Sequence, residues 1–217
     1  MDEELVHATV RAYDATADRY RQRWHGTDPL VGAKRAFLEL LPADARVLDV
    51  GCGTGRDLAW FVGAGLAAVG VDRSTGMLAT PEVRGRAAAA DMRQIPLPDG
   101  SLDGWWAAAS LLHLDRRGLH AALEELHRLT RPAGVGFACV KRGDGEAWEP
   151  TSDSELRYFR YWQPTELDDE LTAAGWHVER AWISEDTLGR QPWISRFVRR
   201  RCAAAFPDPT REREAAP

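Results

Sequence analysis

Only three of the 217 residues are cysteine, Cys52, Cys139 and Cys202, widely separated and odd in number. That excludes a disulfide framework and a paired zinc motif, and makes a reducing cytoplasm the simplest home. Positive charge is not in excess either. Lys and Arg number 28 against 33 Asp and Glu, a formal charge of -5, so the electrostatic footprint behind most nucleic-acid affinity is missing. The longest largely apolar stretch, Trp105 to Leu112, is under half of the roughly 20 residues a membrane helix needs and reads as a buried strand. The opening MDEELVHATV has neither the basic nor the apolar region of a secretory signal. No C-x-x-C, no H-x-x-x-H and no tight acidic cluster in the loops occurs, so no metal is expected.

Apolar residues make up 44% and charged residues 28%, which suffices to bury a core and excludes a disordered chain. The length fits one domain with an elaboration. Val6, Val10, Tyr13, Ala17, Tyr20 and Trp24 recur at spacings of four and three, one stripe of a strongly aromatic helix. A second helix is expected after Pro29, carrying Val31, Phe37, Leu38 and Leu41 inward and stopping at Pro42. These form an N-terminal helical unit over residues 1–42. The main domain covers 43–202, and the polar tail 203–217 is expected to be loose.

From residue 45 short apolar runs alternate with helical segments, the signature of parallel strands with crossover helices. Strands are expected at 46–50, 67–71, 85–89, 102–108 and 134–141. Leu119, Ala122, Leu123, Leu126 and Leu129 form a helical stripe that Arg131-Pro132 ends. A helix opens at Gln163-Pro164-Thr165-Glu166 and ends at Gly175. The alternating segments 176–183 and 193–198 are expected to close the sheet as an antiparallel pair.

VLDVGCGTGRDLAWF, residues 47–61, is a strand, a glycine-dense turn and a helical start. Gly51, Gly53 and Gly55 permit conformations and close approach that a Cβ forbids, so a bulky ligand can lie against the backbone at the helix start. Asp49 can meet a cationic ligand group there. The spacing is G-x-G-x-G, not the dinucleotide G-x-G-x-x-G, because residue 56 is Arg. Asp72 ends the next strand, 21 residues after Gly51. It can accept both hydroxyls of a ribose, or equally cap the helix beginning near Ser74. In AADMRQIPLPDGSLD, Asp91 can accept from an adenine amine while Met92 borders the ring.

Taken in order, these elements resemble the class I S-adenosylmethionine-dependent methyltransferase family. DVGCGTG matches its first motif, the acid in GVDRSTGML its second and AADMRQIPLPDGSLDGWWAAASLLHL its third and fourth, while RPAGVGFACVKRGDGE resembles the segment around its fifth strand. The resemblance covers about residues 45–185. It implies an α/β fold: a Rossmann-like, doubly wound, seven-stranded sheet, mostly parallel with an antiparallel final hairpin, plus an N-terminal helical lid. It implies S-adenosyl-L-methionine as cofactor. Asp49 and the Gly51, Cys52 and Gly53 loop would flank the methionyl part. Asp72 would hold the ribose with Arg73 and Met77 nearby, and Asp91 with Met92 the adenine. Ser110 and Leu111 would line the floor near the sulfonium, and Tyr13, Tyr20 and Trp24 would face the cofactor from the lid. The aromatic stripe fits a cation–π lid and simple packing alike.

Methyl transfer from a sulfonium is an in-line displacement, so the protein must chiefly align donor and acceptor and exclude water. If the acceptor is a hydroxyl, His113 in ASLLHL is the candidate catalytic base, and a structural role for it fits equally. The segment 141–164, with Trp148, Tyr158, Phe159, Tyr161 and Trp162, is expected to wall the acceptor pocket, and Arg157 and Arg160 can bind an acceptor carboxylate. The resulting expectation is a small-molecule methyltransferase with an O or N acceptor, aromatic or amphipathic, without nucleic-acid or membrane partners. The Ala- and Arg-rich composition suits a GC-rich bacterial genome and specialised metabolism. Rival readings are a tRNA or protein methyltransferase, an NAD-dependent oxidoreductase, and a cofactor-binding protein without activity.

Overall fold

The computed structural model describes residues 3–24, 26, 28–150, 155–185 and 191–201. Cys202, His25 and the tail 203–217 lie outside the described residues. Chain order runs α1 (Glu3–Trp24), α2 (Val31–Glu39), β1 (Arg46–Val50), α3 (Arg56–Gly63), β2 (Ala67–Asp72), α4 (Thr75–Leu78), β3 (Ala87–Ala89) and β4 (Leu102–Ala108). It continues with α5 (Arg116–Leu129), β5 (Thr130–Lys141), β6 (Glu146–Pro150), β7 (Leu156–Arg160), α6 (Pro164–Ala173), β8 (Trp176–Ser184) and β9 (Trp193–Arg200).

Seven strands form one sheet in the order β3-β2-β1-β4-β5-β9-β8. All neighbours are parallel except β9, which runs antiparallel to both β5 and β8. The chain leaves β1 toward one edge and returns at β4 toward the other, so a crevice opens at the carboxyl ends of these two strands. Successive strand residues face opposite layers. Trp105 therefore joins one core with Leu119, Leu123, Leu126, Leu167 and Trp176, and Trp106 joins the other with Phe37, Leu58, Phe61, Phe137 and Phe197. Each full burial of a Leu- or Phe-sized side chain contributes about 1.5 to 3 kcal/mol.

The helices begin and end as their sequences dictate. α1 opens on Glu3 and Glu4 and closes on Arg21 and Arg23, complementing its dipole. Asp115 caps α5 by accepting from the Gly118 N–H. Gln163 and Glu166 form a capping box at α6 with Pro164 in the first turn.

Several expectations need correction. The segment after β5 is not merely a loop, because β6 and β7 pair as an antiparallel hairpin. β5 begins at Thr130, directly after α5, so Arg131 and Pro132 lie in the strand. The apolar run 105–112 does not continue as a strand: Ala109 takes φ 59, and Leu111–His113 forms a 3-10 turn. On α2, Val31 is exposed while Lys34 is fully buried. The Lys34 ammonium is held by Asp57 at 2.9 Å and Asp28 at 2.8 Å. Asp57 also accepts from Arg56 and from Trp106 Nε1 at 2.9 Å. A buried charge is tolerable only when paired and hydrogen-bonded, and the Arg56 and Lys34 cations hold the Asp57 carboxyl down at about 2 against the opposing effect of burial.

Candidate active site

The glycine-dense bend carries β1 into α3. The Gly51 and Cys52 N–H groups donate to the Val71 carbonyl at 2.8 and 3.0 Å, tying the bend to β2. Gly51 has φ +69, and a Cβ there would lie 2.4 Å from Ser110 Cβ, so no larger residue fits. Ser110 is fixed in turn by donating to the Val50 carbonyl at 2.6 Å. Gly53, at φ +53, would direct a Cβ toward Tyr20, 3.9 Å away and the nearest contact. The backbone is thus bare on the side covered by α1.

Three carboxylates surround this bend. Asp72 accepts from the Gly53 N–H at 2.9 Å and the Ser74 N–H at 2.8 Å, using two of roughly four acceptor positions. Burial raises its pKa against those bonds. Asp49 is buried on β1, and its Oδ2 has no hydrogen-bond partner. Burial, with repulsion from Asp57 and Asp72, raises its pKa well above the usual carboxylate range. Asp91 is differently placed. Its oxygens accept from Arg73 at 2.9 Å and from the Arg93 backbone and guanidinium at 2.6 to 3.0 Å. Four donors fill the carboxylate, so in this arrangement its acceptor positions are already used and none is spare for an adenine amine. Glu3 of α1 joins the same cluster, 3.0 Å from Arg93 and 3.5 Å from Arg73.

α1 is fastened across the crevice by polar contacts hidden within its aromatic stripe. Asp14 accepts from the Ser74 hydroxyl at 2.6 Å and the Gly76 N–H at 2.8 Å. Thr9 Oγ1 accepts from the Tyr158 N–H at 3.0 Å, and Arg21 pairs with Glu82 at 2.8 Å. Tyr13 and Tyr20 meet edge to face at 6.1 Å. His113 Nδ1 lies 2.7 Å from the Tyr158 carbonyl, which only accepts, so Nδ1 carries the proton. Nε2 then accepts from the Tyr13 hydroxyl at 2.7 Å. Burial lowers the His113 pKa to about 4, helped by Arg157 and Lys141. It is therefore a neutral imidazole with both nitrogens engaged, which leaves no lone pair for a general base.

A cavity of about 820 Å³, including its open mouth, brings together Tyr13, Tyr20, Gly51, Gly53, Asp72, Arg73, Met77, Asp91, Met92, Ser110 and His113. Asp49, Cys52 and Leu111 are not in its wall. Cys52 is buried against Gly70, and Leu111 belongs to the core. Val6, Thr9, Val10, Val71, Ala90, Arg93, Ala108, Ala109 and Leu114 line it as well. Val6 and Val10 were visible in the helical stripe, whereas Thr9 carries no signal beyond lying four residues before Tyr13. The residues expected to wall an acceptor pocket, Trp148, Arg157, Tyr158, Phe159, Arg160, Tyr161 and Trp162, do not line this cavity, and Trp162 is fully buried in the core. Arg160 is paired with Glu146 at 3.0 Å and near Glu166 at 3.7 Å.

The bare glycine bend, the Asp72 carboxylate with acceptor positions to spare and the aromatic cover fit an adenosyl sulfonium. No group of His, Cys, Asp and Glu among the described residues is arranged to hold a metal, and no described helix is long and apolar enough to cross a membrane.

Comparison with known proteins agrees with this geometry. The family described as Methyltransferase domain matches residues 47–134. Malonyl-[acyl-carrier protein] O-methyltransferase of Pseudescherichia vulneris is 28% identical over 187 residues, covering 82% of this chain and 70% of that protein. A tRNA (carboxymethyluridine(34)-5-O)-methyltransferase of Macaca fascicularis is 33% identical over 144 residues, covering 64% of this chain and 20% of that protein. The chain spans between 41% and 70% of the length of the bacterial malonyl-[acyl-carrier protein] O-methyltransferases it matches. Among solved structures, Burkholderia thailandensis 1,6-didemethyltoxoflavin-N1-methyltransferase with bound 1,6-didemethyltoxoflavin and S-adenosylhomocysteine superposes with a TM-score of 0.77. Its sequence identity is 21%, with 93% of this chain and 91% of that chain covered. At that identity the likeness speaks for the fold.

Proposed function

We propose that the chain is a class I S-adenosylmethionine-dependent methyltransferase, a reading that the methyltransferase-domain match and the methyltransferase relatives support, and that it methylates an O or N atom of a small acceptor, aromatic or amphipathic in character. The observation that carries this reading is the cavity joining the Gly51–Gly53 bend to Asp72 beneath Tyr13 and Tyr20. Its walls are largely apolar, which suits a compact acceptor better than an extended macromolecular surface. The formal charge of -5 also weighs against a tRNA acceptor.

S-adenosyl-L-methionine, when bound, supplies an activated methyl group on a sulfonium. The chain's own residues hold, orient and shield. Asp72 keeps acceptor positions for sugar hydroxyls while its two backbone partners fix its direction. Asp49 lies buried on β1, outside the cavity wall, and adds negative charge near the bend without touching its contents. Tyr13 and Tyr20 present aromatic rings to a cation, an attraction worth about 2 kcal/mol when desolvated, and exclude water. Met77 and Met92 supply soft apolar wall. His113 positions Tyr13 instead of moving a proton.

Calorimetric titration with S-adenosylmethionine, S-adenosylhomocysteine and NAD tests the reading. Binding of both sulfur ligands and none of NAD is expected. Tight NAD binding without response to the sulfur ligands would falsify it.

A further inference from the structure

We propose that Arg157 is a positioning residue of this site: from outside the cavity it holds Tyr13, and through Tyr13 it sets how tightly the cofactor binds. This rests on the methyltransferase reading above, in which the Tyr13 ring covers the cofactor, and adds which part of the fold fixes that ring.

The first argument is the grip on one hydroxyl. Tyr13 lines the cavity and Arg157 does not. The Tyr13 hydroxyl donates to His113 Nε2 at 2.7 Å and accepts from the Arg157 guanidinium, which lies 5.5 Å from the Tyr13 ring centre and 5.2 Å from that of Phe159. A phenol oxygen has one proton to give and lone pairs to receive, so His113 and Arg157 use both capacities at once. His113 is itself held. Its Nδ1 donates to the Tyr158 carbonyl at 2.7 Å, and its ring meets Phe159 edge to face at 4.7 Å.

The second argument is where the grip comes from. Arg157, Tyr158 and Phe159 are successive residues of β7, and all three meet the same group. Arg157 holds Tyr13, Phe159 packs on His113, and Tyr158 uses its main chain twice: its carbonyl accepts from His113 and its N–H donates to Thr9 Oγ1 at 3.0 Å. Thr9 and Tyr13 stand four apart on one face of α1, and both line the cavity. β6 and β7 pair in a sheet of their own, so no ladder of the main sheet presses β7 onto the site. Side-chain and main-chain contacts with α1 and His113 do. The hairpin is the outer half of the cover.

The consequence is a ring ordered before the cofactor arrives. Ordering one free side chain on binding costs about 2- to 12-fold in affinity, and a tyrosine tip held by two partners avoids much of that loss. The other fastenings of α1, Asp14 on Ser74 and Gly76 and Arg21 on Glu82, fix the helix and not the Tyr13 ring. Burial raises the Tyr13 pKa, so the hydroxyl keeps the proton that it donates to His113.

Calorimetric titration of the full-length protein with S-adenosylhomocysteine tests this in a double-mutant cycle. Arg157→Met keeps the stem and removes the donors, and Tyr13→Phe keeps the ring and removes the hydroxyl. Arg157→Met is expected to raise the Kd about three- to tenfold. The same substitution in the Tyr13→Phe background is expected to change it less than about twofold, because no hydroxyl is left to hold. Arg157→Lys, which can still donate to that hydroxyl, is expected to regain most of the loss. A wild-type Kd in Arg157→Met overturns the proposal, and so do losses that multiply in the double variant, since Arg157 would then act only by packing the hairpin. Arg157→Lys binding as weakly as Arg157→Met overturns it as well. If Arg157→Met does not fold, Arg157→Gln takes its place in the cycle. Failure of the wild-type protein to bind S-adenosylhomocysteine would instead overturn the reading on which the proposal rests.

Discussion

Replacing Asp49 by Asn measures what a buried carboxylate with an unpartnered oxygen costs the protein. The side chain is 3% exposed, Oδ2 is unpartnered, and burial with nearby Asp57 and Asp72 raises its pKa. Asn has nearly the same shape but no charge, and a neutral amide left short of a partner costs less than a carboxylate does. The ligand-free variant is therefore expected to gain about 1 to 2 kcal/mol, a Tm rise of roughly 2 to 8 °C for a chain of this size. The sign with pH follows from the raised value. Between the unfolded and folded pKa the native state binds the proton that the unfolded chain has released, so wild-type stability rises as pH falls through the folded value. The gap between the two proteins widens as pH rises and closes toward about pH 4, the unfolded carboxylate value. Because Asp49 is not in the cavity wall, the S-adenosylmethionine Kd is expected to change little. Thermal melts between pH 4 and 8 and calorimetric titration read both quantities. A lower ligand-free Tm at neutral pH would refute the reasoning.

Three further outcomes follow from the same geometry. Asp72→Ala is expected to lose about 1 to 3 kcal/mol of cofactor affinity, read by titration; an unchanged Kd would show that the sugar is held elsewhere. Gly51→Ala combines a positive φ with a 2.4 Å overlap on Ser110, so about 1 to 3 kcal/mol of stability should be lost along with ligand binding, and a variant that melts and binds like wild type would contradict the described bend. His113 has its pKa lowered to about 4 by burial, so turnover should show no inflection near pH 6.5. His113→Gln should weaken cofactor binding roughly 2- to 12-fold by loosening Tyr13, whereas a wild-type inflection near pH 6.5 that the variant abolishes would restore the role of base.

Much of the site could be read from the chain because each motif follows a strand end directly. The glycine spacing of residues 51–55 and the acid at 72 are local features, and a parallel sheet places the ends of adjacent strands together. The antiparallel pair at β8 and β9 was equally legible, since period-2 apolar alternation is a short-range signal. The β6–β7 hairpin was not, because each strand is only 5 residues long and mixes charged with aromatic residues instead of forming an apolar run.

What escaped the chain's pattern is the partnering of side chains across long separations. His113 and the Tyr158 carbonyl are 45 residues apart, Thr9 and the Tyr158 N–H 149 apart, and a backbone carbonyl or N–H carries no signature in residue identity. Arg73 and Arg93 converge on Asp91 and leave it filled, Lys34 sinks into the core because Asp57 and Asp28 meet it there, and Arg157 rests against the rings of Tyr13 and Phe159. Residue types and local spacing were enough to say where a cofactor could rest. Packing settled which charges remain unspent around it, because pairing is decided by distance in space and by exclusion of water.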